Sequence, residues 1–287
     1  NLLKCLTSYC SPKVVSHPIS EAHKEIRKID IKPSAAKTIS DARVVQLFSK
    51  SLNILKNYNL DLGTELSQVY RRNSVDMNCK RHMSIFDRHN VIPRFCFGCY
   101  KVQVEPRTII ELVKLLMVFD QLKLEDNNTR KCMIEMRPEV PGFYKGLIYC
   151  SGLEQANKIA DAVDVIVKEN ISSKLSAKVK RGCSEYTFSF PDYQEINSSG
   201  PQLMNYNEDW MPIEDIHDKD NPMPPRKHLQ PSFSGLNLQD VLIIQTWIDY
   251  ARGIGDPSFN LLGNHAVRHH NILNVARART ARYPYTK

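Results

Sequence analysis

An α+β fold is predicted by three features of residues 95–190. Four short runs alternate apolar and polar side chains with a period of two, as half-buried strands do. Two longer runs place apolar residues at helical spacing. They follow one another in the order β-α-β-β-α-β. The rest of the 287-residue chain divides around this centre: residues 1–94 as an N-terminal arm and helical region, and residues 191–287 as a proline-rich wrapping segment, a helix and a basic tail.

The elements are read in order. Residues 1–38 are polar, broken by Pro12, Pro18 and Pro33, and predict an extended arm or irregular lead-in. Ser40 is a helix N-cap, and Val44, Val45, Leu47, Phe48, Leu52, Ile54 and Leu55 continue at helical spacing to about Tyr58. A shorter helix is expected within 61–75 and an irregular basic stretch from Asp76 to Pro93. Tyr100 to Glu105 alternates as the first central strand and Pro106 ends it; Ile109 to Leu122 is strongly apolar and helical. Lys131 to Arg137 and Tyr144 to Cys150 flank a Pro-Gly turn as a hairpin. Leu153 to Asn170 is an amphipathic helix and Leu175 to Arg181 the fourth strand. Residues 197–233 predict little regular structure, and a helix capped by Asn237 runs to Gly253–Gly255.

The β-α-β-β-α-β order resembles the split arrangement of ferredoxin-like domains, which implies a four-stranded antiparallel sheet with both helices on one face. Centring the hairpin near Pro141 sets Cys132 opposite Cys150, Ile134 opposite Ile148 and Met136 opposite Gly146, all toward the helices. The other face is then polar and net basic. It carries Lys101, Gln103, Arg137, Lys145, Tyr149, Lys178 and Lys180 around Glu135, and these are the candidate ligand-binding residues.

Composition bounds the function classes. Hydrophobic content of 42% and charged content of 24% suit a folded protein, and no run approaches the roughly 18 apolar residues of a membrane span. A net charge of +8 favours an acidic partner. Eight cysteines in 287 residues are too few for a disulfide scaffold, so a cytoplasmic or other reducing compartment is expected. No dinucleotide-binding glycine fingerprint, P-loop or Gly-x-Ser-x-Gly motif is present, so the standard nucleotide and α/β-hydrolase readings find no support.

Two constellations carry chemistry. Cys79-x2-His82 and Cys96-x2-Cys99 have the spacing of two ligand pairs around zinc, whose tetrahedral sites take soft or borderline donors from two short turns. In a ferredoxin-like sheet the last strand lies beside the first, so Cys183 is expected near Cys96 and Cys99. Replacing His82, it would make a four-thiolate set suited to zinc or an iron–sulfur cluster. The second constellation is the basic face. Its strand order is also that of the RNA-recognition motif, and Lys145-Gly146-Leu147-Ile148-Tyr149-Cys150 resembles that motif's RNP1 segment in its Lys-Gly and one aromatic. Leu147 stands where the other ring would be, and the first strand offers Gln103.

These readings predict a cysteine-ligated metal-binding protein whose basic face and tail, with Arg268, Arg277, Arg279 and Arg282, hold an anionic partner, with RNA as the first choice. A second expectation is a metal-dependent enzyme acting on a small anion, with Glu135, Tyr149 or Cys183 as catalytic candidates, the last activated by Arg181 and Lys180. A third is a structural subunit of a larger assembly, suggested by the long segments at both ends.

Overall fold

The computed structural model describes residues 17–32, 38–71, 77–198, 200–222, 234–263 and 267–286. Its centre is a mixed α/β arrangement on a five-stranded antiparallel sheet, one strand more than the alternation predicts. The strands are β1 (Gln68–Arg71), β2 (Tyr100–Val104), β3 (Arg130–Ile134), β4 (Tyr144–Cys150) and β5 (Ala177–Arg181), in the spatial order β1-β3-β4-β2-β5. β1 falls where a short helix was expected. Val69 and Arg71 of this strand are buried while Tyr70 between them is exposed, a period of two that only a strand produces.

The helices follow from local signals. Pro18 opens α1 (Pro18–Ile26), where an extended arm was expected; proline suits a first turn because its missing N–H has no partner there in any case. Ser40 caps α2 (Asp41–Asn57) through its hydroxyl, which accepts from Arg43 N–H at 3.2 Å. α3 (Cys79–His89) occupies the stretch read as irregular, and the single turn α4 (Arg94–Phe97) follows it. α5 (Ile109–Gln121) is buried on almost every side, and α6 (Leu153–Asn170) buries one stripe through Ala156, Ile159, Val163 and Val167. α7 (Met211–Asp220) lies in the segment expected to lack regular structure. Glu214 holds it, accepting from Arg81 Nη2 at 2.9 Å, Arg94 N–H at 2.8 Å and the Tyr206 hydroxyl at 2.9 Å. α8 (Leu238–Ile254) begins with a capping box between Asn237 and Asp240 and ends at Gly255 in the left-handed region.

The last helix, α9 (His270–Arg282), is docked rather than a free basic tail. A Cβ on Gly253 would lie 2.5 Å from Ala276 Cβ, so glycine there permits the close approach of α9 to α8. Arg279 is buried and donates to the carbonyls of Arg137, Val140 and Gly142 in the β3–β4 loop. His269 joins the segment before α9 to α8 and to the chain before β1: its Nδ1 lies 3.0 Å from Asp249, and its Nε2 accepts from Thr64 N–H at 3.3 Å.

The hairpin register departs from the expected one. Cys132 pairs with Gly146, and Ile134 with Tyr144. The turn centres near Glu139 because the ladder extends to a Glu135 N–H to Phe143 carbonyl bond of 2.8 Å. The slip is an even number of residues, so every side chain keeps its predicted face. Cys132, Ile134, Ile148 and Cys150 are buried on the helical side, and Gly146 there meets Leu115 and Phe119 of α5 with no room for a Cβ. One hydrophobic core joins residues from Ile26 to Ala276, drawing on all three sequence segments. A smaller one gathers Ile92, Cys96, Tyr186 and Tyr193.

β1 is fixed to the helical layer by Arg71. Its guanidinium, fully enclosed, donates to Asp120 of α5 at 2.7 Å and to Asp240 of α8 at 2.8 Å, and also reaches the Gly235 carbonyl. Burial pulls its pKa down, but the charges and hydrogen bonds of Asp240 and then Asp120 leave it raised. Removing one partner of a buried ion pair costs about 3–5 kcal/mol because the other charge stays behind unpaired. Arg71→Ala is therefore expected to lower unfolding stability by that order in urea titration, with partial recovery when Asp120→Asn and Asp240→Asn are added. A loss below about 1 kcal/mol, the range of exposed pairs, would contradict this assignment.

Candidate functional site

Strand alternation sends Tyr70, Lys131, Met133, Lys101, Gln103, Lys145, Leu147, Tyr149, Lys178 and Lys180 to the sheet face away from α5 and α6. This face is not uniformly solvated. Gln103, Met133, Glu135, Lys145 and Leu147 are buried.

The buried charges satisfy one another. Glu135 accepts from Lys145 Nζ at 2.9 Å and from Arg137 Nε and Nη2 at 2.9 Å each, while Arg137 Nη1 continues to Glu185 at 2.6 Å. Burial alone would push the Glu135 carboxyl up; hydrogen bonds from Arg137 and the charge of Lys145 more than offset it and hold the pKa at about 2. Lys101 Nζ donates to the Gly182 carbonyl at 2.9 Å, and burial lowers its pKa. Of the seven candidate ligand-binding residues, Lys101, Gln103 and Lys145 are thus occupied within the protein, while Arg137, its side chain 43% exposed, is paired with Glu135 and Glu185 at the surface. Tyr149, Lys178 and Lys180 keep solvent-facing surface.

Beside Tyr149 the structure places two residues that the sequence reading passed over. Lys131 pairs with Tyr70 of β1 on one side and Leu147 of β4 on the other. Its ammonium lies 5.4 Å from the Tyr70 ring centroid and 5.8 Å from that of Tyr149, within cation–π range, and donates to Gln68 Oε1 at 2.9 Å. Burial, then the charges of Lys101 and Arg137, lower its pKa to about 8. Tyr70 is 48% exposed. The signal for it was the alternation of Gln68-Val69-Tyr70-Arg71, too short to separate from a helical turn without its partner strand.

The cysteines are neighbours, as the strand order implies, since Gly182 N–H bonds the Cys99 carbonyl at 2.9 Å. Their side chains lie within electrostatic range of one another but have other contacts as well. Cys96 Sγ lies 3.2 Å from the Tyr186 hydroxyl in the smaller core, and His82 stacks on Phe95 with centroids 5.1 Å apart. Cys79 is exposed. Among the described residues no three His, Cys, Asp or Glu converge as a group that could hold a metal ion, so these donors do not fit a tetrahedral or cluster ligand set as placed. Burial pushes the thiols up, Cys96 to about 12 and Cys99 to about 11, and raises Cys183 as well. For Cys183 this is opposite to the activation expected from Arg181, whose guanidinium is turned instead to the Phe97 carbonyl and over the Tyr100 and Tyr193 rings.

A cleft of about 660 Å3 opens at the end of the sheet where β2 begins and β4 ends. Met77, Arg94, Phe95, Cys99, Asn128, Tyr149, Cys150 and Gln155 are among the residues that line it. Asn128 Nδ2 donates to the Tyr149 carbonyl and to Gln155 Oε1, at 2.9 and 3.1 Å.

Comparison of the chain with protein-family models, with curated proteins and with solved structures gives no match. Among the described residues, no helix is long and apolar enough to cross a membrane.

The Glu135 cluster makes a pH-dependent prediction. With a folded pKa near 2 against an ordinary value of 4.5, its contribution to stability is present above about pH 4.5 and is lost as pH falls through 2. Glu135→Gln is expected to cost on the order of 3 kcal/mol at pH 7, with the gap to wild type closing between pH 4.5 and 2. Urea titrations across that window measure it, and a gap independent of pH would refute the assignment.

Proposed function

We propose that this protein binds single-stranded RNA on the outer face of the sheet, with Tyr70 and Tyr149 stacking bases and Lys131, Lys178 and Lys180 meeting phosphates. The observation that carries the reading is the Tyr70–Lys131–Tyr149 row. Two rings flank a cation on a sheet face, and base stacking on aromatic side chains beside cationic groups is how sheet-based modules hold single strands. The net charge of +8 agrees in sign with such a partner.

We also read β2 to β5 with α5 and α6 as a ferredoxin-like unit widened by β1. Supporting this are the β-α-β-β-α-β element order and the antiparallel spatial order β5-β2-β4-β3, the fourth, first, third and second strands of the unit. In that reading β1 contributes the second ring that Leu147 does not. A zinc or iron–sulfur site at Cys79, Cys96, Cys99 and Cys183 is not part of the proposal, because among the described residues no three such donors form a group that could hold a metal ion. The enzyme reading has less to draw on, since Glu135 is neutralised by Arg137 and Lys145 and burial holds the Cys183 thiol protonated.

Fluorescence anisotropy with a labelled single-stranded RNA tests the proposal. Stacking is worth about 1–3 kcal/mol per base, so Tyr70→Ala and Tyr149→Ala should each weaken binding by roughly 5- to 150-fold. Lys178→Ala with Lys180→Ala should flatten the slope of log K against log salt by about 1.4 for two lost phosphate contacts. Affinity should also fall as pH rises through about 8, where Lys131 loses its charge. Binding that ignores both tyrosines would sink the reading.

A further inference from the structure

The lining of the cleft at the end of the sheet includes Asn128, whose carboxamide is only half used by the fold. Asn128 is 8% exposed, and while its amide nitrogen has two acceptors, its carbonyl oxygen is buried with no hydrogen-bond partner. Those two acceptors fix the carboxamide's orientation, so turning it over would lose both bonds and leave the nitrogen in the oxygen's place. A buried acceptor left unpaired costs about 1–3 kcal/mol, a cost that persists in native proteins mainly at sites where something else supplies the donor.

The surroundings define that donor. Phe95, 47% exposed, and Tyr149 give the cleft flat apolar walls, together with Met77. A volume of about 660 Å3 is in the range of small-molecule sites. Arg94 stands on the same lining, its side chain 63% exposed; its guanidinium lies 5.5 Å from the Tyr206 ring centroid and makes a 3.5 Å contact to the equally exposed Glu208, a surface pairing that a stronger anion displaces at little cost.

The geometry points to a nucleotide site: a planar base enters between Phe95 and Tyr149, gives an N–H to the Asn128 carbonyl, and leaves its phosphate to Arg94. The inference rests on the RNA reading for the class of ligand, but of the residues on the outer face it uses Tyr149 alone. Its ligand comes either as a free nucleotide or as one unit of a strand. The Asn128 oxygen is covered in the free protein, so binding includes a side-chain movement of the cleft wall, of the kind common at binding sites.

The test is calorimetric titration of the full chain with AMP, CMP, GMP and UMP, and with the 5′-monophosphate of purine riboside, which is AMP without its amino group. At least one of the four mononucleotides should saturate the protein. If AMP does, the analogue should bind five-fold or more weakly. Asn128→Ala would also disturb Tyr149 and Gln155, so the companion variant is Phe95→Ala, expected to weaken every ligand at least five-fold. No saturation by about 5 mM with any of the four, or equal binding of AMP and its analogue, overturns the inference. A labelled RNA separates the two proposals. RNA binding that needs Tyr70 but not Phe95, with no mononucleotide bound, sinks the cleft and leaves the sheet face. Phe95-dependent binding of mononucleotides, with RNA no tighter than AMP, supports the cleft and sinks the sheet face.

Discussion

The buried guanidinium of Arg71 is the contact on which the outer face depends. A four-residue edge strand has little apolar surface with which to hold itself, and β1 buries only Val69 among its hydrophobic residues. Arg71 compensates by reaching inward to carboxylates on two different helices, Asp120 of α5 and Asp240 of α8. Asp240 is itself fixed by the capping box that starts α8. Strand alternation converts this inward anchor into an outward consequence: with Arg71 and Val69 committed to the core, Tyr70 must stand on the opposite face beside Lys131. The stability of the helical layer and the composition of the candidate RNA surface are thus linked through adjacent residues.

Desolvation sorts the cations on that surface. A lysine that folding buries must find a carboxylate or carbonyl, and Lys145 and Lys101 have done so through Glu135 and Gly182, with the exposed Arg137 closing the same cluster through Glu135 and Glu185. Lys131 is the intermediate case: its partners are a neutral amide and two ring faces, and its pKa falls to about 8. Lys178 and Lys180 on the edge strand β5 stay exposed. A count of positive residues from the sequence treats all of these alike. Burial separates charges that build the protein from charges left to meet a partner.

Much of the fold was legible because periodicity reports local geometry. The helix from Leu153 to Asn170, the caps at Ser40 and Asn237 and the strand from Tyr144 to Cys150 lie where the spacing of apolar and capping residues places them. The hairpin slip near Glu139 moved pairs but not faces, since an even shift preserves a period of two. What escaped depends on tertiary partners. β1 needs Arg71's distant carboxylates, and α7 needs Arg81, Arg94 and Tyr206 around Glu214. The cysteine neighbourhood followed from strand order, but the direction of each thiol did not: Cys96 faces the aromatic core that Tyr186 and Tyr193 build from a segment with no readable period. Asn128 could not be singled out from sequence, because an unpaired oxygen is a property of the folded surroundings alone.

The central claim is that a single strand lies across Tyr70, Lys131 and Tyr149 rather than along the basic C-terminal helix. Photo-crosslinking a 4-thiouridine-substituted RNA to the full chain, with the attached peptides mapped by mass spectrometry, addresses it directly. The account predicts crosslinks in the peptides carrying residues 68–71 and 145–150. Crosslinks confined to residues 267–286 would contradict it.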